Sequence, residues 1–177
     1  MRIIPTVHLR AMEPEDLDML YSIENDTSQW HLGMTNAPYS RFVLHDYISQ
    51  TTGDIYTDKQ VRLMIENETG ETVGMVDLTT FCPKNLRAEV GIVIADNYRC
   101  KGYAQATLSA LHRYAHTTLH LHQLYAFIPC DNLSCIHLFQ KSSYRQTAIL
   151  SDWLFDGSAY HDAILMQCII DTSSPKF

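Results

Sequence analysis

Residues 99–104 read Arg-Cys-Lys-Gly-Tyr-Ala and follow the apolar run Glu89-Val-Gly-Ile-Val-Ile-Ala95. A strand that passes through such a turn into a helix points bare backbone N–H groups and the positive helix end at one spot. That suits a phosphate or pyrophosphate. Gly102 lets an anion approach the backbone, and Arg99 and Lys101 can add charge-assisted hydrogen bonds. The same residues also describe an ordinary strand–turn–helix connection with a helpful glycine. A second set, His112, His116 and His120, repeats every four residues on the following helix. Helical spacing of that kind can present imidazoles to a metal. However, no carboxylate is in step, and the histidines flank the apolar stripe, so solvated side chains on the outer face and no metal are expected.

The hydrophobic pattern supplies the elements that must hold these groups. Residues 6–10 alternate as a strand, with Val7 and Leu9 on one side. Pro14 suits a first helical position, with Glu13, Glu15 and Asp16 at the positive helix end. Leu17, Leu20 and Tyr21 continue that helix to about residue 25. Residues 26–39 are a loop holding Trp30 and Tyr39. Ser40 is a fitting N-cap for a second helix with Leu44, Tyr47 and Ile48 inside. Strands are expected over 60–66, 71–81 and 87–95, joined by turns at 67–70 and 82–85. Gly91 stands inside the third of these, where glycine marks a bulge or a close backbone approach. The helix from Gly102 buries Ala104, Leu108, Leu111, Ala115 and Leu119. A strand over 123–129 leads to a short helix capped by Asp131 or Asn132, with Cys135, Leu138 and Phe139 inward. Strands over 144–155 and 160–170 meet at Asp156-Gly157, a hairpin signal, and 171–177 reads as a tail. The order is β-α-α-β-β-β-α-β-α-β-β, a mixed α/β chain forming one domain over 1–177.

Composition narrows the function. The formal charge of −7 argues against nucleic acid as a partner and suits a cationic small molecule. The five cysteines are odd in number and form no CxxC pair, which fits a reducing compartment. The first residues lack a secretory core and no run is long enough to span a membrane, so a cytoplasmic protein free of membrane is expected. GxGxxG and GxxxxGK[ST] are both absent.

Arg99-Cys-Lys-Gly102-Tyr-Ala104 matches the [QR]-x-x-G-x-[GA] turn of the GCN5-related N-acetyltransferase (GNAT) family. Asn132-Leu-Ser134-Cys-Ile136-His-Leu138-Phe139-Gln-Lys141-Ser-Ser-Tyr144 resembles the family's N-x-x-[SA]-x-x-L-[YF]-x-K-x-G-[FY] segment. Phe155-Asp156-Gly157-Ser-Ala-Tyr160-His-Asp162 is similar to a hairpin of its polyamine and ribosomal-protein branches. The resemblance spans nearly the whole chain and is greatest to spermidine N-acetyltransferases. It implies a mixed, mostly antiparallel sheet of about seven strands with the fourth and fifth splayed. It further implies that acetyl-CoA lays its pyrophosphate on residues 99–104 (Arg99, Cys100, Lys101, Gly102, Tyr103, Ala104). Its pantetheine would pair with Ile92, Val93 and Ile94 as an added strand. Asn132 and Lys141 are assigned further cofactor contact, beside their plain readings as a helix cap and a solvated lysine.

Acetyl transfer needs a neutral amine, and an alkylammonium with a pKa near ~10 must first lose a proton. Glu89 matches the strand position where several branches of the family carry a glutamate implicated in deprotonation. Its other reading is a strand-end carboxylate paired with Arg87. Phe139 stands where the family's general acid, a tyrosine, is usual, and Ser143 replaces a glycine. Trp30 and Tyr39 can line an amine pocket through cation–π contacts or simply pack their loop. That loop lacks the glutamates typical of the spermidine enzymes. The expected function is therefore acetyl-CoA-dependent N-acetylation of a primary amine, a polyamine first, by a homo-oligomer. The alternatives are acetylation of protein N-termini or another small amine, or acyl-CoA binding with little catalysis.

Overall fold

The computed structural model describes residues 4–32 and 37–170. The expected tail and the middle of the loop after the first helix lie outside the described residues. The strands are β1 (Val7–Arg10), β2 (Val61–Asn67), β3 (Thr72–Cys82), β4 (Arg87–Ile94), β5 (Gln123–Pro129), β6 (Arg145–Phe155) and β7 (Tyr160–Ile169). The helices are α1 (Leu17–Glu24), α2 (Arg41–Gln50), α3 (Ile55–Asp58), α4 (Tyr103–Thr117) and α5 (Leu133–Lys141). The strands form one sheet in the order β1-β2-β3-β4-β5-β7-β6. Every neighbouring pair is antiparallel except β4 with β5. The element order and the mixed, mostly antiparallel sheet are those the sequence predicts, with α3 added. Asp54 caps that short helix by accepting from Tyr56 N–H and Thr57 N–H, each at 3.1 Å.

Both faces of the sheet are covered. On one face Leu63, Val76, Leu78, Val90 and Ile94 pack with Leu108, Leu111 and Ala115 of α4 and Ile136 and Phe139 of α5. On the other, Met64 and Met75 meet Leu20 of α1 and Leu44 and Ile48 of α2. Burying each such leucine contributes roughly 1.5–3 kcal/mol. The caps are local. Ser40 Oγ accepts from Val43 N–H at 3.2 Å at the start of α2, and Asn132 Oδ1 accepts from Cys135 N–H at 3.1 Å at the start of α5.

Two sequence expectations change. His112 is buried, not solvated, and stacks at 5.3 Å on the ring of Tyr144. It lies four residues after Leu108 and three before Ala115, so helical geometry turns it inward with them. His116 is half-buried and His120 exposed, so the three do not converge. Among the described residues no group of three or more His, Cys, Asp or Glu side chains could hold a metal ion. Gly91 does not mark a bulge: Asp77 pairs with it in an unbroken register between β3 and β4. The irregularity lies in β3 between Thr79 and Cys82, where Thr80 has φ 51°. The glycine that permits close approach is Gly74, where a Cβ would stand 2.1 Å from the Val93 carbonyl oxygen.

Candidate active site

β4 and β5 pair only through Arg87–Gln123, Ala88–Leu124 and Glu89–Tyr125. Beyond that point β4 stays on β3 as far as Ile94, and β5 stays on β7 as far as Pro129. A gap therefore opens between their inner edges. Alternate residues of β4 past Glu89, in the stretch holding Ile92, Val93 and Ile94, point their backbone groups into it. Those groups can pair with an extended ligand as a further strand would. The splayed fourth and fifth strands are thus present, and register alone produces them.

Glu89 stands at the last paired position, where the strands part. It shares a face with Gly91 and Val93, on the α1/α2 side. Burial raises its carboxyl above the usual carboxylate range, and Thr80 Oγ1, donating at 3.3 Å, partly offsets this. Arg87 is exposed and makes no ion pair with it. Tyr125 is the cross-strand neighbour. Burial pushes its hydroxyl up, and the charge of Glu89 adds to the effect.

The gap leads to the turn before α4. After a short 3-10 turn over Asp96–Tyr98, Cys100 (φ 59°) and Gly102 (φ 96°) both take left-handed conformations. The first helical bond runs from Ala106 N–H to Gly102 O at 3.1 Å, and the cap residue, a glycine, has no side chain to occupy the N–H groups of Tyr103 and Ala104. Donors left open at such a turn can receive an anion. Arg99 braces the turn: its Nε donates to Ile94 O at 3.0 Å and its Nη2 pairs with Asp96 at 3.0 Å. Lys101 is exposed, its Nζ 5.5 Å from the centre of the Tyr98 ring. Across the gap, Asn132 caps α5 with its oxygen, and Lys141, the last residue of α5, is exposed.

Phe139 is 2% exposed and meets the Tyr144 ring edge-on at 4.7 Å. Tyr144 is buried, and burial holds its hydroxyl well above the usual range. Burial likewise pushes the Cys135 thiol up to about 11. These three serve as packing.

Beyond Glu89, on the same face, Tyr125 and Phe127 form an edge-on pair at 5.7 Å, and Phe127 meets Trp153 at 5.5 Å. Past them is a cleft of about 480 Å³ lined by Thr27, Trp30, Pro129, Asp131, Leu154, Asp156 and His161. Trp30 is set in place by its indole N–H, which donates to Glu24 O at 2.9 Å. Glu24 is itself held by Arg62 Nη1 at 2.6 Å, and Arg62 grips Asp77 with two bonds of 2.7 and 2.8 Å. This half-buried network ties the end of α1, and hence Trp30, to the sheet. Asp156 organises its hairpin, accepting from Ser158 and Ala159 N–H at 2.8 and 2.9 Å and pairing with His161 at 2.7 Å. These bonds hold its carboxyl far below the usual range. Tyr39 is not in the cleft wall; Asn25 clamps its backbone at 2.8 and 3.0 Å. The sequence does not single out Tyr125 and Phe127, and it offers Asp131 only as a helix cap, a place the structure gives to Asn132. The period-two alternation of Tyr125, Phe127 and Pro129 on one strand face was the available signal.

A family model described as an acetyltransferase (GNAT) domain matches residues 6–145. The spermidine N(1)-acetyltransferase of Escherichia coli K12 is 30% identical over 165 residues, which is 93% of this chain and 86% of that protein. The Vibrio cholerae spermidine N(1)-acetyltransferase is 25% identical over 158 residues, 87% of either chain. Among solved structures, a Vibrio cholerae spermidine N-acetyltransferase in complex with CoA and spermine matches with TM-score 0.82. It is 24% identical and covers 93% of this chain and 95% of that one. A dodecameric form of that enzyme matches at TM-score 0.78, with 24% identity and coverage of 93% and 94%.

Proposed function

The chain belongs to the GNAT acetyltransferase family, and from that premise we propose that it transfers the acetyl group of acetyl-CoA to a primary amine of a linear polyamine such as spermidine. The observation that carries the reading is the position of Glu89. It lies where β4 and β5 part, with the turn before α4 past the end of β4 and a cleft lined by Trp30, Asp131 and Asp156 past the end of β5.

The N–H groups of Tyr103 and Ala104 hold the pyrophosphate of acetyl-CoA, with Lys101 as the nearby cation and Arg99 keeping the turn in shape. The pantetheine arm lies on the exposed edge of β4 at Ile92, Val93 and Ile94, which places the thioester near Gly91. Glu89 takes a proton from the ammonium, directly or through a water. The freed nitrogen lone pair attacks the thioester carbonyl, and the unpaired β4 N–H groups stabilise the oxyanion. The C–N bond then forms fully and the C–S bond breaks. CoA leaves as a thiolate, comparable to a thiol of pKa about 8.5, and takes up the second proton, which the newly acylated nitrogen sheds. No tyrosine donor is needed at Phe139 for a leaving group of that kind. Asn132, through its amide Nδ2, and Lys141 are the candidates for contact with the cofactor from α5.

The oligomer belongs to this proposal as well. β6 is the sheet edge, and Ile149, Trp153, Phe155, Tyr160 and Ile169 expose apolar side chains on the β6–β7 hairpin. Contact between copies would cover them. All five cysteines are free, which suits the cytoplasm. Among the described residues no helix is long and apolar enough to cross a membrane.

Thiol release with purified protein and acetyl-CoA tests the function. Spermidine and spermine should turn over, whereas an amino sugar and a peptide N-terminus should not. Turnover of the peptide or sugar alone refutes the polyamine reading. CoA binding without turnover on any amine refutes transfer.

A further inference from the structure

The register of β5 puts a measurable distance between the two ends of the acceptor surface. Glu89 is level with Tyr125, and the cleft begins at Pro129, four residues further along the same strand face. At roughly 3.3 Å per residue that separation is about 13 Å. Tyr125 and Phe127 floor the interval, both half-buried and in mutual edge contact. At the far end the wall carries the carboxylates of Asp131 and Asp156, the latter paired with His161 at 2.7 Å, and the indole of Trp30, and among the described residues neither lysine nor arginine lines it. The charges of Asp162 and Asp131 both reach the Cys130 thiol, which burial first and these carboxylates next push up. The far end is therefore anionic, the middle aromatic, and the near end holds the base.

We propose that Asp131 and Asp156, with Trp30, hold the distal ammonium of a linear triamine whose reacting amine stands at Glu89, so that the Tyr125–Phe127 floor acts as a length gauge. The inference rests on the acetyltransferase reading and deepens it by naming how the amine is chosen. An extended chain advances about 1.25 Å per bond, so spermidine, with nine bonds between terminal nitrogens, spans about 11 Å, and putrescine, with five, about 6 Å. The Glu89 and aspartate side chains close the remaining gap of roughly 2 Å, so spermidine bridges base and carboxylates, whereas putrescine stops over the aromatic floor. The central nitrogen of spermidine lies over Tyr125 and Phe127, where cation–π attraction favours a charge.

The test compares kcat/KM for spermidine, 1,8-diaminooctane and putrescine in the wild-type enzyme and in Asp131→Asn. Asp131 is chosen because it is exposed, whereas Asp156 also builds its turn. 1,8-Diaminooctane has the same span as spermidine and lacks the central nitrogen. The wild type should prefer both long amines to putrescine by tenfold or more. Asp131→Asn should lower the spermidine-to-putrescine ratio about tenfold, and Asp131→Glu should restore most of it, with CoA affinity equal in all three proteins. A flat length series, or a ratio unmoved in Asp131→Asn, overturns the gauge while spermidine turnover keeps the acetyltransferase reading intact. Failure to acetylate any of the three amines overturns both.

Discussion

Replacing Gly102 with alanine probes the proposed anion site directly. Gly102 has φ 96°, and a Cβ there would stand 2.9 Å from Cδ of Pro5. Holding an L-residue in the left-handed region costs roughly 1–2 kcal/mol. The approach to Pro5, a ring with little freedom to move, adds to that. If the backbone keeps its shape, the cost appears as stability, and the melting temperature falls by roughly 2–8 °C for a chain of this length. If it rotates away, the N–H groups of Tyr103 and Ala104 turn from the anion, and about 1.4 kcal/mol of lost interaction raises the Kd for CoA tenfold. Calorimetric titration with CoA, and with a pantetheine thioester lacking the pyrophosphate, separates the two. Gly102→Ala should weaken CoA and leave the truncated thioester unaffected, or else melt early. Equal weakening of both ligands, or a variant indistinguishable from wild type in melting and in CoA affinity, would refute the anion site.

Two further changes read the fold. Burial lowers the pKa of His112 from its usual 6.5 to about 4. The unfolded chain therefore takes up a proton in this range that the folded one refuses, and stability falls as pH drops from about 6.5 to about 4. At 1.36 kcal/mol per pH unit the loss approaches ~3 kcal/mol. Urea unfolding across that window should show it, and His112→Gln should flatten the slope by a comparable amount; an equal slope in the variant contradicts the assignment. Ser143 has φ 70° without being glycine, so Ser143→Gly should raise stability by roughly 0.5–1 kcal/mol in thermal melts. A destabilised variant would show that the serine makes a contact outweighing its strain.

Local rules made much of the architecture legible. Ser40, Asn132 and Gly102 announce their helix ends because the cap chemistry involves only the neighbouring residues. The Asp156-Gly157 hairpin is similarly local, although the turn is built by the Asp156 carboxylate on two N–H groups rather than by a two-residue loop. What needed the sheet was less visible. His112 reads as flanking the apolar stripe on its outer side, yet its spacing from Leu108 and Ala115 turns it inward. Gly91 drew attention as the glycine of the central strand, yet the steric demand falls on Gly74, through a carbonyl of the neighbouring strand. The link from Glu24 through Arg62 to Asp77 joins residues 38 and 15 positions apart, and nothing nearby in sequence signals it. The same holds for Tyr125, which meets Glu89 only because β4 and β5 run parallel.

The central chemical claim is that Glu89 receives the proton of the reacting amine. The pH dependence of kcat/KM for spermidine, in the wild type and in Glu89→Gln, tests it most directly. Burial raises the Glu89 carboxyl, so wild-type activity should fall on the acid side at a pH above the usual carboxylate range, where the base becomes protonated and inactive. Glu89→Gln should keep the CoA affinity of the wild type, lose on the order of 10²-fold in kcat at neutral pH and lose that acid limb. A variant that turns over within a factor of about two of the wild type with the acid limb intact would contradict the account.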